Sequence, residues 1–210
     1  SSDKLRLYDL YFEALRAGHA GQALDLAGLD EAMYEAAESG VCETIEARVL
    51  AIHRLKTAIP AASLARMGAV AGGGSEAQIE GLGRFFEAVG TAFQIIDDVL
   101  NLRGFEGDLK SKGEDIAQGK ATSPVVKAMG LLDAQTRKAL WARIAQKPQD
   151  SEEVRDIIRI IEASGALDAC VDQAHALVDE AWTKLDPLVE DSLPKIMLRA
   201  FSWYVLERHY

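Results

Sequence analysis

Apolar residues in this chain return every three or four positions and seldom every second one. Between Glu43 and Thr57 the residues Ile45, Val49, Ile52 and Leu55 keep that spacing, and beyond Ser75 so do Ile79, Leu82, Phe86 and Val89. That period fits one stripe of a helix and not a strand, whose faces alternate at two. Composition agrees: alanine, leucine and glutamate dominate, and only five prolines interrupt 210 residues, so an all-α fold is expected. At 49% hydrophobic residues the chain can bury a sizeable core, and it reads as one domain over 1–210 without internal repeat or linker.

Punctuation residues divide the pattern into elements. A first helix over 4–18 runs on past Gly18 and Gly21 to Leu26, and Asp30 is placed to cap a second over 31–38 that ends at Ser39-Gly40. Pro60 marks a kink or break between a helix to Thr57 and a segment to Val70, which Gly72-Gly73-Gly74 terminates. Ser75 with Gln78 three residues on reads as a capping box opening a long helix to Leu102. Residues 103–121 break the periodicity, and a loop that long in a compact domain is usually functional. Helices near 122–131, 133–146, 151–163, 165–185 and 193–208 follow, the last carrying Phe201, Trp203 and Tyr204 as candidates to complete a core.

Charge and cysteine usage remove several function classes. Lys and Arg total 23 against 33 Asp and Glu, a net charge of −10, so no global positive field exists to hold nucleic acid or anionic lipid. Cys42 and Cys170 lie far apart and the four histidines lack ligand spacing, which speaks against a disulfide framework or a zinc cluster and fits a reducing cytosol. No run approaches the roughly 20 apolar residues of a membrane span, so no membrane insertion is expected.

Three stretches could carry chemistry. On the long helix, Gln94, Asp97, Asp98 and Asn101 fall at i, i+3, i+4 and i+7 and share a face. Adjacent carboxylates between Ile96 and Val99 repel each other, and a cation relieves them; an oxygen-only donor set suits Mg²⁺, which takes one or two carboxylates plus substrate phosphates. The alternatives are a solvated acidic face or an N-cap to the following loop. The loop from Asp108 to Thr122 sets Lys110, Lys112 and Lys120 beside Glu114-Asp115: lysines act as point charges for phosphate, glycines permit close backbone approach, and Asp115 can fix a lysine or a metal-bound water. Plain solvation is the alternative, and Gly113 and Gly119-Lys120 are wrongly spaced for a nucleotide-binding P-loop. Lys56-Thr57 ends an apolar run, where a lysine facing inward needs a diphosphate or an aspartate and one facing outward simply snorkels. Gln22 and Asp25, at i and i+3, read as an ordinary hydrogen-bonded pair.

In this order, Gly21-Gln22-Ala23-Leu24-Asp25, Lys56-Thr57-Ala58, Phe93-Gln94-Ile95-Ile96-Asp97-Asp98 and Lys110-Ser111-Lys112-Gly113-Glu114-Asp115 through Gly119-Lys120-Ala121-Thr122-Ser123-Pro124 resemble the trans-isoprenyl diphosphate synthases. The resemblance covers roughly residues 5–200 and matches the C-terminal portion of that family, without its N-terminal helices and first aspartate-rich motif. It implies a helical bundle around an apolar cavity, with Mg²⁺ bridging carboxylates to an allylic diphosphate. By resemblance Asp97 binds one Mg²⁺ with Asp98 in its shell. Lys56, Gln94 and Lys120 touch the allylic diphosphate, and Thr57 and Lys110 are weaker carry-overs. Asn101 stands where the family motif has its last aspartate. The implied reaction is ionisation of the allylic carbon–oxygen bond, attack by the isopentenyl diphosphate double bond and loss of a proton, in a homodimeric cytoplasmic enzyme.

Half a bundle with one metal motif has three explanations: part of a longer synthase, which we favour, a subunit whose partner supplies the first motif, or a catalytically silent scaffold. The isolated chain is expected to turn over negligibly. A terpene cyclase-like enzyme is the further alternative, but the Asn-x-x-x-Ser-x-x-x-Glu signature is absent, since Phe105 and Leu109 follow Asn101 at the required spacing.

Overall fold

The computed structural model describes residues 2–104 and 112–208, which form helices joined by turns and short irregular connections and include no strand. The expected elements appear: α1 (Ser2–Ala27), α2 (Asp30–Ser39), α3 (Glu43–His53), α4 (Ile59–Ala71) and α5 (Glu76–Arg103). They are followed by α6 (Glu114–Ala117), α7 (Ser123–Leu131), α8 (Ala134–Ala145), α9 (Ser151–Ala163), α10 (Ala166–Leu185) and α11 (Leu193–Leu206). The capping box forms in both directions, with the Ser75 amide donating to Gln78 Oε1 at 2.9 Å and the Gln78 amide donating to Ser75 Oγ at 3.3 Å. Asp30, expected as a cap, is instead the first residue of α2, and its side chain makes no capping bond; Leu29 occupies the flanking position.

Backbone contacts sort these elements into two compact units. The first comprises Ser1–Leu24, Ala51–Gln94 and Gln173–Arg208, the second Asp25–Leu50 and Ile95–Asp172. Several helices, α5 among them, begin in one unit and end in the other.

In the first unit the expected break at Pro60 takes another form. Arg54–Ala58 widen into one turn of π-helix, with the Ile59 amide donating five residues back to the Arg54 carbonyl. Pro60 has no N–H for the Lys56 carbonyl and its ring would press on it, so widening the turn before the proline lets the chain continue into α4. Two glycines hold this turn in place. A Cβ on Gly21 of α1 would lie 2.4 Å from the Lys56 nitrogen, and one on Gly90 of α5 would lie 2.7 Å from the Ala58 Cα. Backbone therefore meets backbone on both sides. Farther along α5 the fully buried ring is Phe85, edge-on to Trp182, whereas Phe86, expected inward, is half-buried and stacks on Phe201. The expectation that Phe201, Trp203 and Tyr204 fill a core is corrected: they are 48%, 62% and 51% exposed, while Ser202, Val205 and Leu206 carry the buried side of α11. Three aromatics within four positions cannot all share one stripe at 100° per residue.

In the second unit α2 packs on α7 and α8, and α9 receives α6, α7 and α8. The shared core is Met33, Ile45, Trp141, Ile144, Ile157 and Ile161, all fully buried, with the Tyr34 ring edge-on to Trp141. Arg137 of α8 ties α2 down by donating from Nε to the Ala37 carbonyl at 2.9 Å and from Nη2 to the Glu38 carbonyl at 3.2 Å. Gly40 ends α2 with φ 76° against that guanidinium, where a side chain would be strained and obstructed.

Candidate functional site

The end of α5 presents its polar residues between buried neighbours. Ile95, Ile96, Val99, Leu100 and Leu102 are all buried, so Asp97 and Asp98, both half-buried, emerge from an apolar surround. The carboxylate of Asp98 is directed to the start of α7, where its Oδ2 accepts from the Ser123 amide at 2.9 Å. Thr122 flanks that helix in an extended conformation, but its hydroxyl makes no cap bond and is buried without a partner. Asp98 thus supplies the cap that Thr122 does not, at a helix beyond the loop that follows α5.

Asn101 organises the segment beyond. Its Oδ1 accepts from the Asp115 amide at 3.2 Å and its carbonyl accepts from the Gly113 amide at 2.8 Å. The four-residue α6 starts there and was not legible as a helix in the sequence. After it the chain folds back: the Lys120 amide donates to the Asp115 carbonyl at 3.0 Å, and Lys120 Nζ donates to Asp115 Oδ1 at 2.9 Å. Asp115 does fix a lysine, one of the two tasks its position suggested.

The loop glycines have a different purpose from the expected approach to phosphate. A Cβ on Gly113 would lie 2.5 Å from Val154 Cγ1, and one on Gly119 would lie 3.0 Å from Lys147 Cγ. Their missing side chains let the turn lie on α9 and the end of α8, and both adopt positive φ, 81° and 74°.

Charge accumulates in this unit. Burial pushes the Asp115 carboxyl above the usual carboxylate range, and the negative charges of Asp98 and Asp97 push it the same way, more than the Lys120 ion pair pulls it back. Burial works against the Lys120 ammonium, but Asp115, Asp25 and Glu114 outweigh it and hold its pKa above the ordinary lysine value. Asp25, read from the sequence as one half of a routine pair, thus adds its negative charge around Lys120. Burial, reinforced by the charge of Asp98, raises the Cys170 thiol to about 12, so it stays protonated.

Of the residues singled out in sequence, Asp97, Asp98 and Lys120 fall in one unit with Asp115 and Asn101. Gln94 lies one turn before Asp97 on α5. Lys56 and Thr57 are in the other unit, on the widened turn; Lys56 is exposed there rather than facing inward, and Ala58 is the residue the turn buries. Lys110 lies outside the described residues. Sequence reasoning named Thr122, Ser123 and Asp25 without giving them the roles found here: Ser123 as donor to Asp98 and Asp25 as a charge on Lys120. An S-x-x-E/Q-type pattern points to a cap three residues away, but nothing local announces a cap donated from 25 residues upstream.

The donor set is compatible with a hard divalent ion. Asp97 and Asp98, adjacent on α5, offer carboxylate oxygens and no nitrogen or sulfur. Among the described residues no group of three or more His, Cys, Asp or Glu side chains is arranged to hold a metal alone. The remaining positions of such an ion would be filled by water or by ligand oxygens.

A family model described as polyprenyl synthetase matches residues 1–161, and the chain belongs to that family. A short chain isoprenyl diphosphate synthase of Methanothermobacter thermautotrophicus is 33% identical over 195 residues, 90% of this chain and 55% of the relative. Component 2 of the heptaprenyl diphosphate synthase of Geobacillus stearothermophilus is 32% identical over 158 residues, 75% of this chain and 48% of the relative. The crystal structure of geranylgeranyl pyrophosphate synthase from Corynebacterium glutamicum, complexed with isoprenyl diphosphate and magnesium, matches with a TM-score of 0.82 at 26% identity. That match covers 99% of this chain and 57% of the neighbour. The chain therefore spans about half the length of the curated relatives it matches. No helix among the described residues is long and apolar enough to cross a membrane.

Proposed function

We propose that this chain, as the C-terminal part of one all-α prenyl synthase bundle, binds the allylic diphosphate in a trans-prenyltransferase. The enzyme condenses that diphosphate head-to-tail with isopentenyl diphosphate into a linear farnesyl-, geranylgeranyl- or polyprenyl-type product. The observation that carries this reading is the cluster in which a paired acid on α5, a lysine and the carboxylate holding that lysine come together in one unit. Family membership supports the same reaction class, and the magnesium and isoprenyl diphosphate named for the Corynebacterium structure support the ligands.

In this reading Asp97 and Asp98 hold Mg²⁺, with Asp98 Oδ2 already engaged by α7 and Asp97 the main protein ligand. The chemistry the metal supplies when bound is neutralisation of the charge that builds on diphosphate oxygens as the allylic bond ionises. Lys120 would add a positive charge for diphosphate oxygens. The Asp115 ion pair keeps the ammonium in place, and its raised pKa keeps it charged throughout the neutral range. By the family resemblance, Gln94, Lys56, Thr57 and Lys110 are further candidates for contact with diphosphate.

In this reading the first aspartate-rich motif that turnover needs comes from a longer polypeptide or from a partner subunit. The similarity to a component of a two-part heptaprenyl synthase favours keeping the second arrangement beside the first. Isothermal titration of the chain with inorganic pyrophosphate, with and without Mg²⁺, tests the binding half: Mg²⁺-dependent association that Asp97→Ala removes is expected, and its absence overturns the reading. Prenyl transfer from radiolabelled isopentenyl diphosphate then separates enzyme from scaffold.

A further inference from the structure

The reading of the site gives no task to Asn101, a polar side chain only 8% exposed one turn beyond the acid pair. Both of its acceptors serve one short stretch of backbone: the side-chain oxygen takes the Asp115 amide and the carbonyl takes the Gly113 amide. From Asp115 two further bonds lead to Lys120, one through backbone and one to its ammonium. On its other side the stretch is set against α9, since a Cβ on Gly113 would meet both Val154 and Ile158. An unbroken path of hydrogen bonds therefore runs from α5, which carries the paired acids, to the Lys120 ammonium.

We propose that Asn101 is a positioning residue: by holding the Asp115 amide it fixes where the Lys120 ammonium stands for a diphosphate bound at Asp97 and Asp98. An asparagine suits this task because it brings an acceptor without a charge. A carboxylate at 101 would accept the same bond but add a negative charge to a region that already holds Asp97, Asp98 and Asp115. The proposal rests on the reading of Asp97, Asp98 and Lys120 as a diphosphate site.

The test measures amide hydrogen exchange at Asp115 and the affinity for inorganic pyrophosphate with Mg²⁺ in the full chain. The variants are Asn101→Leu, of similar size without an acceptor, and Asn101→Asp, which keeps the acceptor; Asn101→Ala replaces the leucine variant should that one misfold. Faster exchange at Asp115 is expected in Asn101→Leu and wild-type exchange in Asn101→Asp. The affinity of Asn101→Leu should fall by roughly five- to tenfold, the range one lost hydrogen bond produces. In a Lys120→Ala background the same substitution should cost less than about twofold, because residues acting through one another do not add. Equal losses in both backgrounds, or unchanged exchange at Asp115, would overturn the role of Asn101 alone. Failure of the unsubstituted chain to bind pyrophosphate would overturn the site reading and this proposal with it.

Discussion

Gly21 shows how one position governs the placement of another. With a Cβ there only 2.4 Å from the Lys56 nitrogen, Gly21→Ala must push α1 off the widened turn. We expect a loss of about 1–3 kcal/mol, the usual cost of overpacking, read as a lower urea midpoint. Asp98 has two separable tasks. Asp98→Ala loses the cap on α7 and should cost about 1 kcal/mol in thermal or chemical melts. Asp98→Asn keeps an oxygen for the Ser123 amide and should retain most of that stability, while Mg²⁺-dependent pyrophosphate binding weakens in both. The sequence displayed Asp97, Asp98 and Lys120 because their chemistry is legible as residue type and spacing. It showed Asp25 but not its charge on Lys120, which is far along the chain, and it did not show the packing of Gly113 and Gly119, since a missing side chain does not say which surface needs its absence.

Among elements, α8 and α9 are joined by Arg143, which donates from Nε to Glu153 at 2.6 Å and from Nη2 to Asp156 at 2.7 Å. Arg143 holds both carboxyls below their ordinary values of 4.5 and 3.8. A depressed carboxyl contributes stability that is present above its unfolded pKa and lost as pH falls through the folded one. The melting temperatures of the parent chain and Arg143→Met should therefore differ most near neutrality and converge in acid, below the ordinary values of 4.5 and 3.8; a gap independent of pH would contradict this. Long helices were legible because ten or more residues repeat one period, and the Ser75–Gln78 box was legible because its two halves sit within one turn. The four residues of α6 are too few to show a period. The π turn escaped because a five-residue step leaves no mark in the apolar pattern, although Pro60 announced that something there had to give.

For the molecule as a whole, a ligand that binds only the folded state raises stability by mass action, by about 2.7 kcal/mol at a hundred times its dissociation constant. Inorganic pyrophosphate with Mg²⁺ should raise the melting temperature, EDTA should abolish the increment, and Lys120→Ala should reduce it. No increment in the unsubstituted chain would count against the diphosphate site. The helical class was visible from composition and period alone, but the sorting of residues into two units was not, because it depends on which distant stretches meet. That sorting distributes the three indoles usefully. Trp141 is completely enclosed in the second unit, whereas Trp182 and the exposed Trp203 belong to the first. With Trp182 and Trp203 replaced by phenylalanine, the blue-shifted emission of Trp141 alone would report on the half that holds the paired acids. The complementary Trp141→Phe chain would report on the half that holds Lys56, so intrinsic fluorescence gives each half its own optical signal without an added label.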